Sequence, residues 1–402
     1  MDKQARLKRA ITPKIKAALS RGKSILLLGP RQTGKTTLVK LLDHDLYITL
    51  MHPGILQKYE SNPAVLIAEL KAQRQLLGRK QLVIIDEIQK IPNITDSIQV
   101  LIDEDVAQFV ITGSSARKIK NLLPGRVIKY NLTALSLLEL KDSEINLEDL
   151  IVNGSLPEVI TTAEQADIDE LLRSYVHLYI EEEIRKEALV RNIGNFTNFL
   201  RLACIESGNI VNFRKISTEI GVSHQTIAEY YRILQDCMLV EVIEPLTLSG
   251  GRKRLTKSPK YLMYDLGVKR IGAREPYNPG LQQLAALFEQ FVGLELCRLI
   301  QQYDIPARLL FWRSHDGPEI DFVIDINGTY TPIEVKWSAK PNQADIKHIL
   351  TFRQEYKVGG ASYVVCRCDL PQLLAEDVFA MPWQELPNLI KTLFDLSTDL
   401  LP

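Results

Sequence analysis

The sequence predicts an α/β protein built on a parallel sheet whose first strand feeds a phosphate-binding loop. Three observations carry that expectation. Residues 1–140 alternate short apolar runs with helix-period stretches, the pattern of parallel strands joined by crossover helices. Gly29-Pro-Arg-Gln-Thr-Gly34-Lys35-Thr36 stands between an apolar run, Ser24–Leu28, and a helical pattern, Thr37–Leu42. A second apolar run, Leu82–Ile85, closes on Asp86-Glu87.

Taken in chain order, Ser24–Leu28 is the first strand, and its apolar continuity suits burial on both faces. The glycines that follow let the backbone curl so that successive N–H groups face phosphate oxygens, and the next helix adds its positive end. Lys35 can reach the β- and γ-phosphate oxygens and Thr36 can offer its hydroxyl to Mg²⁺. Nucleotide contacts are therefore expected from Gly29, Pro30, Arg31, Gln32, Thr33, Gly34, Lys35, Thr36 and Thr37. Tyr47–Leu50 is the next short strand, and Val65–Leu77 is a helix leading to the strand that ends at Asp86. At that strand end Asp86 would hold Mg²⁺ through water, and Glu87 would polarise the attacking water, so Lys35 and Glu87 are the expected catalytic side chains. A further strand, Phe109–Thr112, runs into Gly113-Ser114-Ser115. Ser114 would sense the γ-phosphate or the water; the same residues are also ordinary turn chemistry. The ligands implied are ATP and Mg²⁺.

Composition bounds the rest. A chain of 402 residues suggests two to four domains at about 150 residues each. The content is 46% hydrophobic and 24% charged, that of a globular protein. Lys plus Arg number 49 and Asp plus Glu number 49, so any nucleic-acid contact must come from local basic patches. No run approaches the roughly 20 apolar residues of a membrane span, and the start lacks a signal-peptide core. Five cysteines, an odd number, argue for reduced thiols and a cytoplasmic setting.

The division expected is 1–140 for the nucleotide core, 141–207 for a helical lid, 208–264 for a winged helix, and 265–402 for a carboxy-terminal α/β domain. In the lid, the charge run Glu181–Glu187 reads as a solvated helix face. In the next segment Phe213, Ile216 and Ile220 recur at helical spacing, Gly221 breaks the helix, and Ser223 caps a second one carrying Ile227, Tyr230, Tyr231, Leu234 and Met238. Leu239–Ile243 and Lys260–Tyr264 would be wing strands, with Gly250–Arg254 as a basic tip. Two readings stand: DNA binding with the tip on phosphates, or a packing module between domains. Glu229 and Asp236 on the second helix favour weak or non-specific binding at most.

The carboxy-terminal part centres on Asn327-Gly328 between two strand patterns, the signal for a two-residue type I′ hairpin. In that register Asp321 faces Glu334 and Glu319 faces Lys336, all on one side. Facing carboxylates repel. A bound divalent cation would relieve them, with Lys336 positioning water; alternatively Glu319 and Lys336 form an ion pair on a solvated hairpin. Pro332 lacks an N–H, which implies an edge strand or a bulge.

Together these stretches resemble the AAA+-superfamily P-loop ATPases of bacteria and archaea that carry an uncharacterised carboxy-terminal domain. Further matching stretches are Leu123–Arg126, Leu132–Glu139 and Gly154–Glu158. The resemblance implies an additional-strand core, with the strand carrying Ser114 between those ending at Gly29 and Asp86. It also implies a γ-phosphate contact from Arg126, in cis or from a neighbouring subunit of an oligomer. The carboxy-terminal domain is similar to the PD-(D/E)XK nuclease superfamily, which implies a site of Glu289, Asp321, Glu334 and Lys336, with Ile320 where the name-giving proline would stand. The expected function is Mg²⁺-dependent ATP hydrolysis that gates the carboxy-terminal region on DNA or on a protein client. The alternatives are an ATP-licensed DNA endonuclease and a nucleotide switch without catalysis.

Overall fold

In the computed structural model, residues 7–114, 123–141, 143, 145–180, 192–247, 258–314 and 317–394 are described. Ser115, the run Glu181–Glu187 and the tip Gly250–Arg254 lie outside them. The amino-terminal part runs α1 (Thr12–Ser20), β1 (Ser24–Leu28), α2 (Lys35–Lys40), β2 (Leu46–Thr49), α3 (Pro53–Ser61), α4 (Val65–Leu77), β3 (Gln81–Asp86), α5 (Ile94–Asp103), β4 (Ala107–Gly113) and β5 (Val127–Asn131). These strands form one parallel sheet of order β2-β3-β4-β1-β5. Apolar side chains with no polar alternation serve a sheet covered on both faces, and every residue of β1 is buried. β4 lies between β1 and β3, so Gly29, Asp86 and Ser114 leave the same carboxyl edge of the sheet.

The middle of the chain holds α6 (Leu147–Asn153), α7 (Pro157–Thr161), α8 (Gln165–Ser174), α9 (Ile193–Ile205), α10 (Phe213–Ile220) and α11 (His224–Asp236). The strands β6 (Val240–Pro245) and β7 (Lys260–Met263) and the helix α12 (Leu266–Ala273) follow. Gly221 takes a left-handed φ of 79° after α10, and the Ser223 hydroxyl accepts the Thr226 N–H to start α11. Leu172, Phe199, Ile227, Tyr231, Met263 and Val268 share one buried cluster. The division expected at 207/208 therefore runs through a single core.

The carboxy-terminal part comprises α13 (Leu281–Gln302), β8 (Arg308–Arg313), β9 (Glu319–Ile326), β10 (Thr329–Val335), α14 (Lys347–Glu355), β11 (Ser362–Cys366), β12 (Gln372–Ala375), β13 (Val378–Pro382) and α15 (Leu386–Leu393). Its sheet has the order β12-β13-β11-β10-β9-β8-β6-β7. The hairpin of the middle segment thus continues it: Glu244 and Pro245 of β6 pair in parallel with Leu310 and Phe311 of β8. The expected division at 264/265 crosses a continuous sheet, because pairing covers the β6 edge that an isolated hairpin would expose.

The hairpin register is that read from Asn327-Gly328, whose φ values of 53° and 82° suit a type I′ turn. Ile326 pairs with Thr329 and Phe322 with Ile333. Pro332 pairs with Val323 without a slip, and β10 is an interior strand, so neither the edge nor the bulge occurs. The reason is the alternation of the ladder. Tyr330, two residues earlier, donates its N–H away from β9 to the Lys357 carbonyl at 3.0 Å, and the Pro332 nitrogen points the same way. The β10–β11 pairing begins only at Ile333, so no ladder bond is lost.

Candidate nucleotide site

The carboxyl ends of β1 and β3 border a cavity of about 490 Å³ whose walls include Gln32, Lys35, Thr36, Tyr47, Asp86 and Glu158. The loop is shaped by close approach. A Cβ on Gly29 would stand 2.2 Å from the Leu132 carbonyl oxygen, and Gly34 starts α2 from a left-handed φ of 89°. Gln32 is left-handed too, at 60°. The Thr33 hydroxyl ties the turn by donating to the Pro30 carbonyl at 2.9 Å. The Lys35 ammonium, 5% exposed, donates to the Gly29 and Pro30 carbonyls at 2.8 Å each. Arg31 and Thr37 also face the cavity.

Asp86 is the polar centre. One carboxylate oxygen accepts from the Thr36 hydroxyl at 2.9 Å and the Tyr47 hydroxyl at 2.8 Å, and the other accepts from Thr112. Burial, then the hydrogen bond and charge of Asp86, push the Tyr47 phenol well above its ordinary value, so it stays a donor. Glu87 is left-handed at φ 66°, with its N–H on the Thr112 hydroxyl at 3.0 Å. The Gln89 amide then donates to the Glu87 carboxylate at 2.6 Å and to the Ser114 hydroxyl at 2.7 Å. Lys35, Thr36, Asp86 and Glu87 thus share the cavity, and Gln89 ties Ser114 to Glu87.

Oxygen donors suit Mg²⁺, which prefers one or two protein ligands with phosphate and water completing its shell. Thr36 and Asp86 supply such a pair. Among the described residues no group of three or more His, Cys, Asp or Glu side chains is arranged to hold a metal by itself.

Arg126 is not brought to this cavity. It immediately precedes β5, whose Val127 lies beside Ser24, at the amino edge of the sheet, and it grips Asp103 with bonds of 2.7 and 2.9 Å. A γ-phosphate contact within the same chain is therefore excluded by position. Four side chains were missed from the sequence: Arg9, Tyr47, Thr112 and Gln89. Tyr47 and Thr112 stand on strands flanking β3, a neighbour relation that the strand order reveals; Arg9 carries no local signal. Its guanidinium, 7% exposed, bonds the Thr33 carbonyl, the Thr133 carbonyl at 2.8 Å and the Glu139 carboxylate at 2.9 Å.

The second expected cluster does assemble. The Asp321 carboxylate accepts the Val335 N–H at 2.8 Å, and Lys336 donates to the adjacent Glu334 at 2.9 Å. Glu319 does not pair with Lys336. It binds Lys260 at 3.1 Å and Arg313 at 3.3 Å, while Lys260 also reaches Glu289 at 3.1 Å. The reason is that β7, read as a wing strand, lies close enough to deliver a buried ammonium. Burial, then Asp321, pushes Glu334 up to about 9 and Glu289 up to about 7.

The parallel sheet of order β2-β3-β4-β1-β5, with this loop and this Asp-Glu strand end, defines an AAA-type P-loop nucleotide-binding domain. Residues 21–141 match the model described as AAA domain, residues 144–273 a domain of unknown function (DUF8612), and residues 284–386 a domain of unknown function (DUF4143). The chain is thus an AAA domain followed by a carboxy-terminal DUF4143 region. The uncharacterised proteins Mb2031c of Mycobacterium bovis and Rv2008c of Mycobacterium tuberculosis are each 26% identical over 347 residues, 83% of this chain and 75% of theirs. Among solved structures, a STAND ATPase with a tetratricopeptide repeat sensor from Pyrococcus horikoshii aligns at 13% identity and TM-score 0.28, over 72% of this chain and 46% of that one. The PCH-2 protein of C. elegans aligns at 16% identity and TM-score 0.25, over 43% and 55%. No helix among the described residues is long and apolar enough to cross a membrane.

Proposed function

We propose that the protein hydrolyses ATP with Mg²⁺ and that turnover gates its carboxy-terminal region. The observation that carries the reading is the assembly of Lys35, Thr36, Asp86 and Glu87 on one cavity, with Gln89 linking Glu87 to Ser114. Mg²⁺, held by Thr36 and Asp86, would neutralise charge on the β- and γ-phosphate oxygens. Lys35 and the loop N–H groups bind and orient those phosphates. Glu87 accepts a hydrogen bond from the attacking water and draws off its proton, and Ser114 marks the γ-phosphate end. Arg126 enters only from a neighbouring subunit, after its Asp103 pair opens.

Gating is supported by a continuous polar path. Arg9 joins the loop at Thr33 to Glu139, and Glu139 accepts the Ser136 N–H at 3.1 Å. The adjoining Leu137 N–H donates to buried Glu295 of α13 at 2.9 Å. Arg298 pairs with Glu295 at 2.8 Å and donates to the Leu135 and Tyr264 carbonyls. α13 also carries Glu289, so movement of the loop has a rigid element to act through. α7 contributes Pro157 and Glu158 to the nucleotide cavity, which favours a lid role for the middle segment.

Steady-state hydrolysis by wild type, Lys35→Ala and Glu87→Gln, with and without DNA, tests this reading. Loss in both variants supports it, and a DNA-dependent rate assigns the client. Wild-type turnover that persists in Glu87→Gln would contradict the mechanism. The endonuclease alternative finds no support in the second cluster, where Lys260, a residue outside the expected site, stands against Glu289 and Glu319. That observation favours a binding role for the carboxy-terminal region, with DNA or a protein as client.

A further inference from the structure

The PD-(D/E)XK likeness implies a divalent cation among Glu289, Asp321 and Glu334, and the residues present do not fit one. Glu289 is engaged by Lys260 at 3.1 Å, and Lys260 also holds Glu319 at 3.1 Å. One oxygen of Glu334 accepts from Lys336, and one oxygen of Asp321 accepts the Val335 N–H. The remaining Glu334 oxygen is buried without a partner. These carboxylates therefore already hold cations of the chain itself, Lys260 on Glu289 and Glu319 and Lys336 on Glu334.

Lys260 is no stray surface side chain. It is 3% exposed, and its ammonium lies 5.1 Å from the centre of the Phe311 ring. It stands on β7, the last strand of the shared sheet, and its backbone is pinned on both sides. β7 pairs with β6 through Ile243 and Lys260, and Ile210 bridges Lys260 from the other edge. A buried ammonium is stable only where carboxylates compensate its desolvation. Here Glu289 and Glu319 supply that compensation, each 3.1 Å from the ammonium. Putting a divalent ion beside this fixed charge would set cation against cation in a poorly solvated site.

We propose that Lys260 is the resident cation of the carboxy-terminal acidic cluster and excludes a divalent ion from it. The cluster then serves as a fastening between the middle segment and the carboxy-terminal sheet, tying β7 to α13 through Glu289 and to β9 through Glu319.

The test is Mn²⁺ binding to the full chain without nucleotide, followed by electron paramagnetic resonance, in wild type, Asp321→Asn, Lys260→Met and the double variant. Binding that depends on Asp321 isolates this cluster from the phosphate loop. Wild type is expected to take up no Asp321-dependent Mn²⁺ at millimolar concentration, and Lys260→Met to bind it at least tenfold more tightly. If Lys260→Met does not fold, Lys260→Gln keeps a hydrogen-bond donor, one bond shorter, without the charge. Asp321-dependent binding in wild type would overturn the proposal. So would folded Lys260 variants that bind no better than wild type.

Discussion

Removing the Gln89 amide should slow hydrolysis while leaving nucleotide affinity nearly unchanged. The Gln89 Nε2 group lies 2.6 Å from the Glu87 carboxylate and 2.7 Å from the Ser114 hydroxyl, so one amide sets the spacing of both. The Glu87 backbone is already held by Thr112, which leaves its side-chain torsions as the freedom that Gln89 removes. A hydrogen bond to a charged group is worth about 1.5–3 kcal/mol, and each 1.4 kcal/mol is a factor of ten in rate. If most of that energy orients Glu87 toward water, Gln89→Ala should lower kcat by roughly 10- to 100-fold. The Gln89 amide bonds Glu87 and Ser114 and not the phosphate loop, so the Kd for ATP should stay within about twofold. Gln89→Glu should be slower still, because it sets a second carboxylate against Glu87. Single-turnover hydrolysis and a fluorescent-nucleotide titration separate the two quantities. An unchanged kcat, or a loss seen only in Kd, would refute the assignment of Gln89 as a positioning residue.

Gly154→Ala should destabilise the fold by about 2–5 kcal/mol in chemical denaturation, because φ is 77° and a Cβ would stand 2.2 Å from the buried Asp265 carboxylate. Arg9→Ala should cost about 3–5 kcal/mol by stranding buried Glu139, with weaker ATP binding as the loop loses its clasp; denaturation and nucleotide titration read the two effects. Stability should also depend on Glu334. Its folded value of about 9 lies above the ordinary 4.5, so the native state holds the extra proton. That contribution is complete below about pH 4.5 and is lost as pH rises through about 9, with Glu289 adding a loss near 7. Glu334→Gln should flatten the fall in melting temperature between pH 5 and 9, a change that differential scanning calorimetry would detect.

What was legible in the sequence is what neighbouring residues decide between themselves. The glycines of Gly29–Thr36 and the apolar strands around them suffice for the loop, since backbone freedom and burial act over a few residues. The hairpin register followed from Asn327-Gly328, because a two-residue turn admits one pairing, and Asp321 and Glu334 came onto one face as a result. Even Pro332, which argued against an interior strand, had its place decided by ladder alternation.

Other features depend on which strand edges meet, and no local pattern records that. The spacing of Arg126 says nothing of the end of the sheet at which it lies; the parallel pairing of Val127 with Ser24 puts it opposite the loop. Gln89 looks like an ordinary polar residue until β4 carries Ser114 alongside β3. Lys260 reads as the start of a wing strand, and only the pairing of β6 with β8 brings it onto Glu289 and Glu319. The sequence by itself determined that this protein has a nucleotide loop with its Asp-Glu strand end, and that a carboxylate hairpin follows. The tertiary structure alone decided that Lys260 stands against those carboxylates, because charges remote in sequence meet only after the sheet has closed over them.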